Sequence, residues 1–222
     1  MMDNEFSYQW AHLPCPLLDY NGDRVNEFLN FTKIPAEWFS GKMCMDAGCG
    51  SGRYTYAMMV LGGDVWSYDQ SSAAIDKCCR INPFSFKSSI LDFKDSHLYD
   101  FVLSWGVLHH LPDPKAGFNR LVGQVKPGGM IHLYLYHENS QPQYAEKRKK
   151  FKSMKTDEER LEYVKWITRT DGGYVHSWWD ALVPEFNWGL NVPTVRGWFE
   201  GAGFKDIRFI TEVDINVNAV KL

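Results

Sequence analysis

The amino-acid sequence predicts an α/β fold with a seven-stranded, mostly parallel sheet and helices on both faces. Two observations predict it. From residue 42 onward, short apolar runs alternate with segments of helical periodicity, a pattern typical of a parallel sheet that is covered on both sides. The last two apolar runs, at 205–211 and 214–220, have no helix between them and must therefore pair antiparallel, through a tight connection near Glu212 and Val213.

The remaining elements follow in a regular order. We predict strands at 43–46, 65–69, 86–90, 101–104 and 130–136, with helices at 53–61, 72–80 and 114–125 between them and an earlier helix at 23–31. Residues 126–129 are predicted as the turn before the fifth strand. The alternation stops at His137 and resumes at Asn191, a predicted N-cap. Inside this interval, Thr156 and Glu159 have the spacing of a capping box.

Length and charge limit the classes of protein that fit. A chain of 222 residues fits one domain, and a net charge of −3 supplies no global field for nucleic acid. The basic run at 147–150 is followed by acidic residues at 157–162, which favours a solvated helix face over a phosphate-binding patch. Aromatic residues make up 15% of the chain. This abundance fits either an aromatic core or an aromatic-lined ligand cavity.

The cysteines and the hydropathy bear on location. The five cysteines are odd in number and lack zinc-ligand spacing, so we predict reduced thiols and no metal. No apolar run approaches the ~18 residues that span a bilayer, and no signal peptide is evident. These patterns predict a cytoplasmic protein without a membrane span.

Residues 46–52, Asp-Ala-Gly-Cys-Gly-Ser-Gly, follow the first strand and open a helix. Glycines there allow a tight turn and close approach of a ligand to the backbone amides. Asp69 ends the second strand, where its carboxylate could accept both hydroxyls of a ribose. Asp46 would repel a pyrophosphate but suits a ligand with a cationic amino acid group. Asp92 and Phe93, after the predicted third strand, could bind and stack on an adenine.

These motifs, together with the segment 99–114 and the turn Lys126-Pro127-Gly128-Gly129, resemble the class I, Rossmann-like S-adenosylmethionine-dependent methyltransferases of small-molecule type. The resemblance covers residues 42–136, and 201–204 is similar to the start of the family's sixth strand. It implies S-adenosyl-L-methionine as cofactor and S-adenosyl-L-homocysteine as product. The implied cofactor-binding residues are Asp46, Ala47, Gly48, Cys49, Gly50, Asp69, Gln70, Asp92, Phe93, Ser104, Trp105 and Gly106.

Two further segments are candidates for the cofactor site. Arg53 could support the methionine carboxylate, or it could be a helix-surface arginine. Residues 6–10 resemble a segment that folds over the cofactor in some small-molecule methyltransferases, which makes Tyr8 and Trp10 candidate cofactor contacts. Packing of this segment against the sheet is the alternative. We therefore divide the single domain into a lid segment (1–40), a cofactor-binding core (41–136), a cap insertion (137–190) and a C-terminal helix and strand pair (191–222).

Methyl transfer is an in-line displacement, so the enzyme must hold the nucleophile close to the methyl carbon. A base helps when the acceptor is a hydroxyl or an ammonium. His110 and His137 are the candidate catalytic residues, with an ordinary structural role left open for each. In or beside the cap, the candidate substrate contacts are Glu138, His176, Trp178 and Trp179, although the aromatic residues could equally fasten the cap to the domain.

The predicted activity is transfer of a methyl group to an O, N or C nucleophile of a small molecule. Three alternatives stay open: a protein that binds S-adenosylmethionine without turnover, a methyltransferase acting on RNA, and a nicotinamide-dependent oxidoreductase. Asp46 and the closing antiparallel pair disfavour the last. The absence of a basic stripe disfavours nucleic acid as the acceptor.

Overall fold

The computed structural model describes residues 5–14, 22–93, 95–140, 142–211 and 213–222. Seven strands form one sheet in the order β3-β2-β1-β4-β5-β7-β6. β1 to β5 pair in parallel, and β7 runs antiparallel to both of its neighbours, β5 and β6. The predicted fold class is therefore confirmed. The strands are β1 (Met43–Ala47), β2 (Asp64–Asp69), β3 (Ser85–Lys87), β4 (Tyr99–Trp105), β5 (Val125–Leu135), β6 (Phe204–Thr211) and β7 (Ile215–Lys221).

The helices begin where the sequence supplies caps. Asp113 and Asn191 each accept a backbone N–H three residues on, and Thr156 with Glu159 forms the predicted capping box. The α-helices of the described residues are α1 (Ser7–His12), α2 (Gly22–Thr32), α3 (Arg53–Val60), α4 (Ser72–Cys78), α5 (Pro114–Val122), α6 (Ala145–Ser153), α7 (Asp157–Asp171), α8 (Val175–Leu182) and α9 (Val192–Gly201). None of them is long and apolar enough to cross a membrane.

Alternating side chains of the central strands bury both faces of the sheet. In β1, Cys44 packs with α2 and α3, whereas Met45 faces the opposite cluster with α5 and α9. In β4, Leu103 lies on the same face as Cys44, and Val102 lies on the same face as Met45. Because successive residues of a strand point to opposite faces, a continuous apolar run is what a doubly covered sheet requires.

Two predicted boundaries were wrong. β3 ends at Lys87 rather than at residue 90, because its partner β2 ends at Asp69, opposite Lys87, and the chain then turns, with the Asp92 N–H donating to the Ser89 carbonyl. β5 begins at Val125, so the predicted turn at 126–129 lies within a strand whose pairing with β4 shifts register between Tyr99 and Phe101. Glu212, in the predicted final connection, lies outside the described residues, as does Cys15.

The segment between β5 and α9 forms a helical layer with its own apolar core. Val164 and Ile167, three residues apart on one face of α7, are fully buried there against α6 and α8. The chain returns to the sheet through a parallel bridge between His137 and Leu190. This layer stands above the carboxyl ends of the parallel strands, the edge at which α/β folds bind their ligands.

Candidate active site

A cavity of about 590 Å³ opens at the carboxyl edge of the sheet. Its floor consists of the loops that follow β1, β2 and β4, and its other walls come from the end of β5, from α1 and α8, and from the turn before β7. Twelve of the predicted site residues line it together: Asp46, Gly48, Cys49, Gly50, Arg53, Asp69, Gln70, Trp105, Gly106, Trp10, His110 and His176.

The loop after β1 needs glycine for both conformation and space. Gly48 has φ +87°, and a Cβ built on it would lie 2.2 Å from a methyl carbon of Val107. Gly50 has φ +54°, and its Cβ would meet the Trp10 ring at 2.7 Å. The N–H groups of Gly48 and Cys49 both donate to the Tyr68 carbonyl, which fixes the loop to the end of β2. The loop is therefore rigid, with bare backbone facing the cavity.

Asp69 organises the neighbouring loops from the end of β2. Its two carboxylate oxygens accept the backbone N–H of Gly50 at 2.9 Å and that of Ser71 at 2.8 Å. Burial raises the pKa of Asp69, and these two hydrogen bonds oppose the rise. The carboxylate lies on the cavity wall, where its remaining lone pairs can accept hydroxyl groups.

Asp46 is a buried carboxyl group on the cavity floor. It accepts a hydrogen bond of 2.7 Å from the Thr55 hydroxyl. Burial raises the pKa of Asp46 to about 7, the charge of Asp69 adds to the rise, and the Thr55 hydrogen bond and Arg53 oppose it. A cationic group bound in the cavity would stabilise the charged form of this carboxyl.

Helix α1 forms one wall of the cavity, over the glycine loop. Trp10 lies against Gly50, and Phe6 packs on His110 with ring centroids 5.3 Å apart. The Gln9 side-chain amide donates to the Asp180 carboxylate of α8 at 2.9 Å, so α1 is tied to the helical layer.

Three predicted aromatic contacts lie away from the cavity. Tyr8 stacks on Trp179 at 4.5 Å, and Trp179 is fully buried among the helices of the layer. Trp178 donates its indole N–H to the Gly172 carbonyl. In α8 the cavity face is carried by His176 and Asp180, which are four residues apart, so the two tryptophans point elsewhere. Of the two roles left open for these tryptophans, fastening the layer is the one that these contacts favour.

The predicted adenine contacts Asp92 and Phe93 also lie outside the cavity. Because β3 ends early, residues 88–90 form the loop at the cavity edge, and Asp92 follows a turn closed by its N–H to the Ser89 carbonyl. Phe93 packs edge-on against Tyr68, and both residues face a shallow outer groove. Two other predicted contacts, Ala47 and Ser104, are fully buried in strand ends and do not line the cavity.

His110 lies in the cavity wall in a defined protonation state. Its Nδ1 is 3.1 Å from the Phe186 carbonyl, which can only accept, so Nδ1 carries the proton. Burial lowers the pKa of His110, while Asp180 partly opposes this shift. The ring is therefore neutral at pH 7, and Nε2 keeps a lone pair with no hydrogen-bond partner among the described residues.

His137 and Glu138, predicted beside it, do not line the cavity. Tyr134 and Tyr136 do, and since side chains alternate along an extended chain, His137 points to the other side. Its Nδ1 accepts the N–H of Asn139. Glu138 is exposed and accepts from the Asn191 side chain at 3.3 Å.

The tyrosine-rich half of the cavity was not predicted from the sequence. The Tyr134 hydroxyl donates to Asp214 at 2.8 Å, and Tyr54 and Tyr144 lie in the walls beside it. Burial and the hydrogen bond to Asp214 raise the pKa of Tyr134. The alternation of Tyr134 and Tyr136 at the end of a predicted strand was a usable signal. Asp214 had no such signal in the sequence, because the position of this residue depends on how β7 pairs with β5 in the folded sheet. No group of three or more potential metal ligands occurs in the described parts of the chain.

Comparison with known proteins agrees with this geometry. A methyltransferase domain family matches residues 19–208. A ubiquinone biosynthesis O-methyltransferase of Pectobacterium atrosepticum is 28% identical over 127 residues, which are 53% of this chain and 52% of that protein. A second one, from Shewanella pealeana, is 27% identical over 120 residues, half of each chain. The aligned region thus spans about half the length of these curated relatives.

Solved structures show the same fold at low identity. The N-methyltransferase NodS of Bradyrhizobium japonicum, in complex with S-adenosylhomocysteine, has a TM-score of 0.59 at 13% identity and covers 98% of this chain and 99% of its own. The magnesium protoporphyrin IX methyltransferase of Synechocystis with bound S-adenosylmethionine has a TM-score of 0.56 at 14% identity, over 90% of this chain and 79% of its own.

Proposed function

Since the chain belongs to the methyltransferase domain family, we propose that it is an S-adenosylmethionine-dependent methyltransferase acting on an O, N or C nucleophile of a small molecule. The observation that carries the proposal is the joint placement of Asp46, the glycine loop and Asp69 along one wall of the cavity. When bound, the cofactor supplies a methyl group activated by a positively charged sulfur.

The residues present fit this cofactor. Burial raises the pKa of the Asp46 carboxyl group, and the amino group of the methionine part would lie beside it and stabilise its charged form. Gly48 and Gly50 line the cavity without side chains, and glycine at these positions also leaves room for Val107 and Trp10 beside the loop. Asp69 would hold the ribose, and the loop at 88–90 replaces the predicted Asp92 and Phe93 beside the adenine. Trp10 would cover the bound cofactor as a lid.

Between the two predicted catalytic histidines, we favour His110 as the general base. It lies in the cavity wall, burial lowers its pKa, and its buried Nε2 carries a lone pair with no hydrogen-bond partner among the described residues. Such a base takes the proton from an acceptor as the new bond to carbon forms. His137 lacks access to the cavity in the same structure.

A small-molecule acceptor is favoured by the shape of the site. The helical layer and α1 wall the cavity with aromatic and polar side chains, as small-molecule sites require. The lysines of α6 lie on its outer side, where Lys147 pairs with Asp171. That pairing weakens the case for an RNA acceptor, and the cytoplasmic location stays a prediction from the sequence.

Methyl transfer is tested by incubating the protein with methyl-labelled S-adenosylmethionine and a cell extract separated into metabolite and RNA fractions. We expect label in a metabolite, identified by mass spectrometry, with the wild-type protein and none with Asp69→Ala. Label in the RNA fraction would support the RNA alternative. If the protein binds S-adenosylmethionine but transfers no label to either fraction, the result supports a binding protein without turnover.

A further inference from the structure

We propose that the methyl acceptor is an amine that binds in its cationic form, its ammonium group paired with Asp214 in the part of the cavity that Tyr134 and Tyr144 line. Because an ammonium nitrogen has no lone pair, it would first pass one proton to the Asp214 carboxylate. The nitrogen lone pair would then form the new bond to the methyl carbon, and the electron pair of the broken sulfur–methyl bond would stay on the cofactor sulfur. This inference rests on the proposed function and specifies its acceptor class. It concerns the half of the cavity beyond the glycine loop, which Tyr54, Tyr134, Tyr136, Tyr144 and Asp214 line.

The charges on the cavity wall are mostly negative. Asp46, Asp69, Asp180 and Asp214 face one cation on the wall, that of Arg53. The cofactor carries one net positive charge, from its sulfonium and amino groups against its carboxylate, and would act beside Asp46. Arg148 is absent from the cavity lining; it donates to the Ala181 carbonyl of α8, and its guanidinium carbon lies 5.4 Å from the centroid of the Tyr144 ring. Within the described residues neither Asp180 nor Asp214 forms an ion pair, and of the two it is Asp214 that is hydrogen-bonded to a cavity tyrosine, Tyr134.

The hydrogen bonds that Asp214 accepts come from neutral donors. It accepts from the Tyr134 hydroxyl at 2.8 Å and from the His137 N–H at 3.4 Å. No ion pair joins it to a lysine or arginine in the ranges that the structure describes. Hydrogen bonds from neutral donors stabilise the negative charge of a carboxylate only in part. The site therefore favours a ligand that carries a positive charge.

The second observation is the Tyr54 hydroxyl. Tyr54 is 5% exposed, lines the cavity, and its hydroxyl has no hydrogen-bond partner among the described residues. Buried polar groups of this kind normally have a partner. An ammonium has three N–H donors, and the hydroxyl oxygens of Tyr54 and Tyr134 can each accept one while Asp214 accepts another.

The surrounding rings suit a cation as well. Tyrosine faces attract ammonium groups through the ring quadrupole, and this attraction strengthens where water is excluded. A neutral phenol or alcohol would gain the apolar contact without the charge pairing, and an anionic acceptor would be repelled by Asp214. The chemistry of this half of the cavity therefore distinguishes amines from both other classes.

The test uses matched probe pairs that differ in one group: tyramine with its alcohol analogue 4-(2-hydroxyethyl)phenol, and hexylamine with hexanol. Each probe is titrated calorimetrically into the protein saturated with S-adenosylhomocysteine. We expect at least one amine to bind about tenfold or more tightly than its alcohol, a preference that Asp214→Asn removes. The control Asp206→Asn, an exposed position in β6 with positive φ that asparagine tolerates, should keep it.

Three results overturn the inference: alcohols that bind as tightly as their amines, an amine preference that survives in Asp214→Asn, or no amine binding to the saturated complex. Both variants must retain the wild-type affinity for S-adenosylhomocysteine, which shows that they fold. If S-adenosylhomocysteine itself does not bind the wild-type protein, the proposed function fails, and that failure is distinct from a failure of the acceptor class.

Discussion

Lowering the pH from 8 to 6 should weaken the binding of S-adenosylhomocysteine about tenfold, because its amino group binds best to the ionised form of Asp46. With a pKa of about 7 in the free protein, Asp46 is ionised in about nine molecules of ten at pH 8 and in about one of ten at pH 6. Binding at pH 6 should therefore release close to one proton.

The measurement is calorimetric titration at pH 6, 7 and 8 in buffers of different ionisation enthalpy. Burial lowers the pKa values of His110 and His176, and any titration of these two rings is common to the wild-type protein and to Asp46→Asn. The pKa of Asp69 is also raised, so the comparison with Asp46→Asn isolates the contribution of Asp46. An affinity of the wild-type protein that does not change with pH, or an unchanged slope in Asp46→Asn, would refute the reasoning.

The raised pKa of Asp46 also affects the stability of the protein without ligand. The folded state holds the Asp46 proton more tightly than the unfolded chain, so the contribution of this group to stability is present at low pH. It is lost as the pH rises from about 4, the unfolded value, through about 7. A bound ligand with a cationic amino group should restore the stability lost at high pH. Thermal unfolding with and without S-adenosylhomocysteine measures this effect.

The remaining predictions concern the loop, the lid and the helical layer. Gly48→Ala should lower the free energy of unfolding by about 3 kcal/mol, since the new Cβ would overlap Val107 and φ is positive. Gly197→Ala, with open space around it, should leave the free energy of unfolding equal or higher. Equal free energies of unfolding for the two variants, measured in urea, would contradict this. Trp10→Ala should weaken S-adenosylhomocysteine binding about tenfold at nearly unchanged stability, and an unchanged affinity would exclude Trp10 as a lid contact. Thr156→Ala should cost about 1 kcal/mol through loss of the capping box, with ligand affinity kept.

The sheet could be predicted because its signals are local. Apolar runs, glycine turns and caps such as Asn191 each act within a few residues of sequence, and they place five of the seven strands closely. The third strand was misjudged at its end, since Ser88 and Ser89 have no strong turn signal of their own. That error of a few residues carried the predicted adenine contacts to Asp92 and Phe93, outside the cavity.

The acceptor side depends on contacts between distant parts of the chain. Asp180 and Gln9 are 171 residues apart, and Tyr134 meets Asp214 across 80 residues. Periodicity gives no information on such pairs, because they follow from how the helical layer and β7 return to the sheet. The same limit explains Trp178 and Trp179: their residue type suggested a ligand contact, but the helix phase of α8 turned His176 and Asp180 toward the cavity instead.

The most direct test of the account is calorimetric titration of S-adenosylmethionine into the wild-type protein and into Asp69→Asn. The substitution keeps the size of the side chain and removes the charge proposed to hold the ribose hydroxyls. It also replaces one of the two oxygens that accept the N–H groups of Gly50 and Ser71, so urea unfolding of the variant is measured beside the titration. The account predicts one binding site per chain, with an affinity about 10- to 100-fold weaker in the variant, because hydrogen bonds to a charged group contribute about 1.5–3 kcal/mol. No binding to the wild-type protein, or equal binding to both, would contradict it.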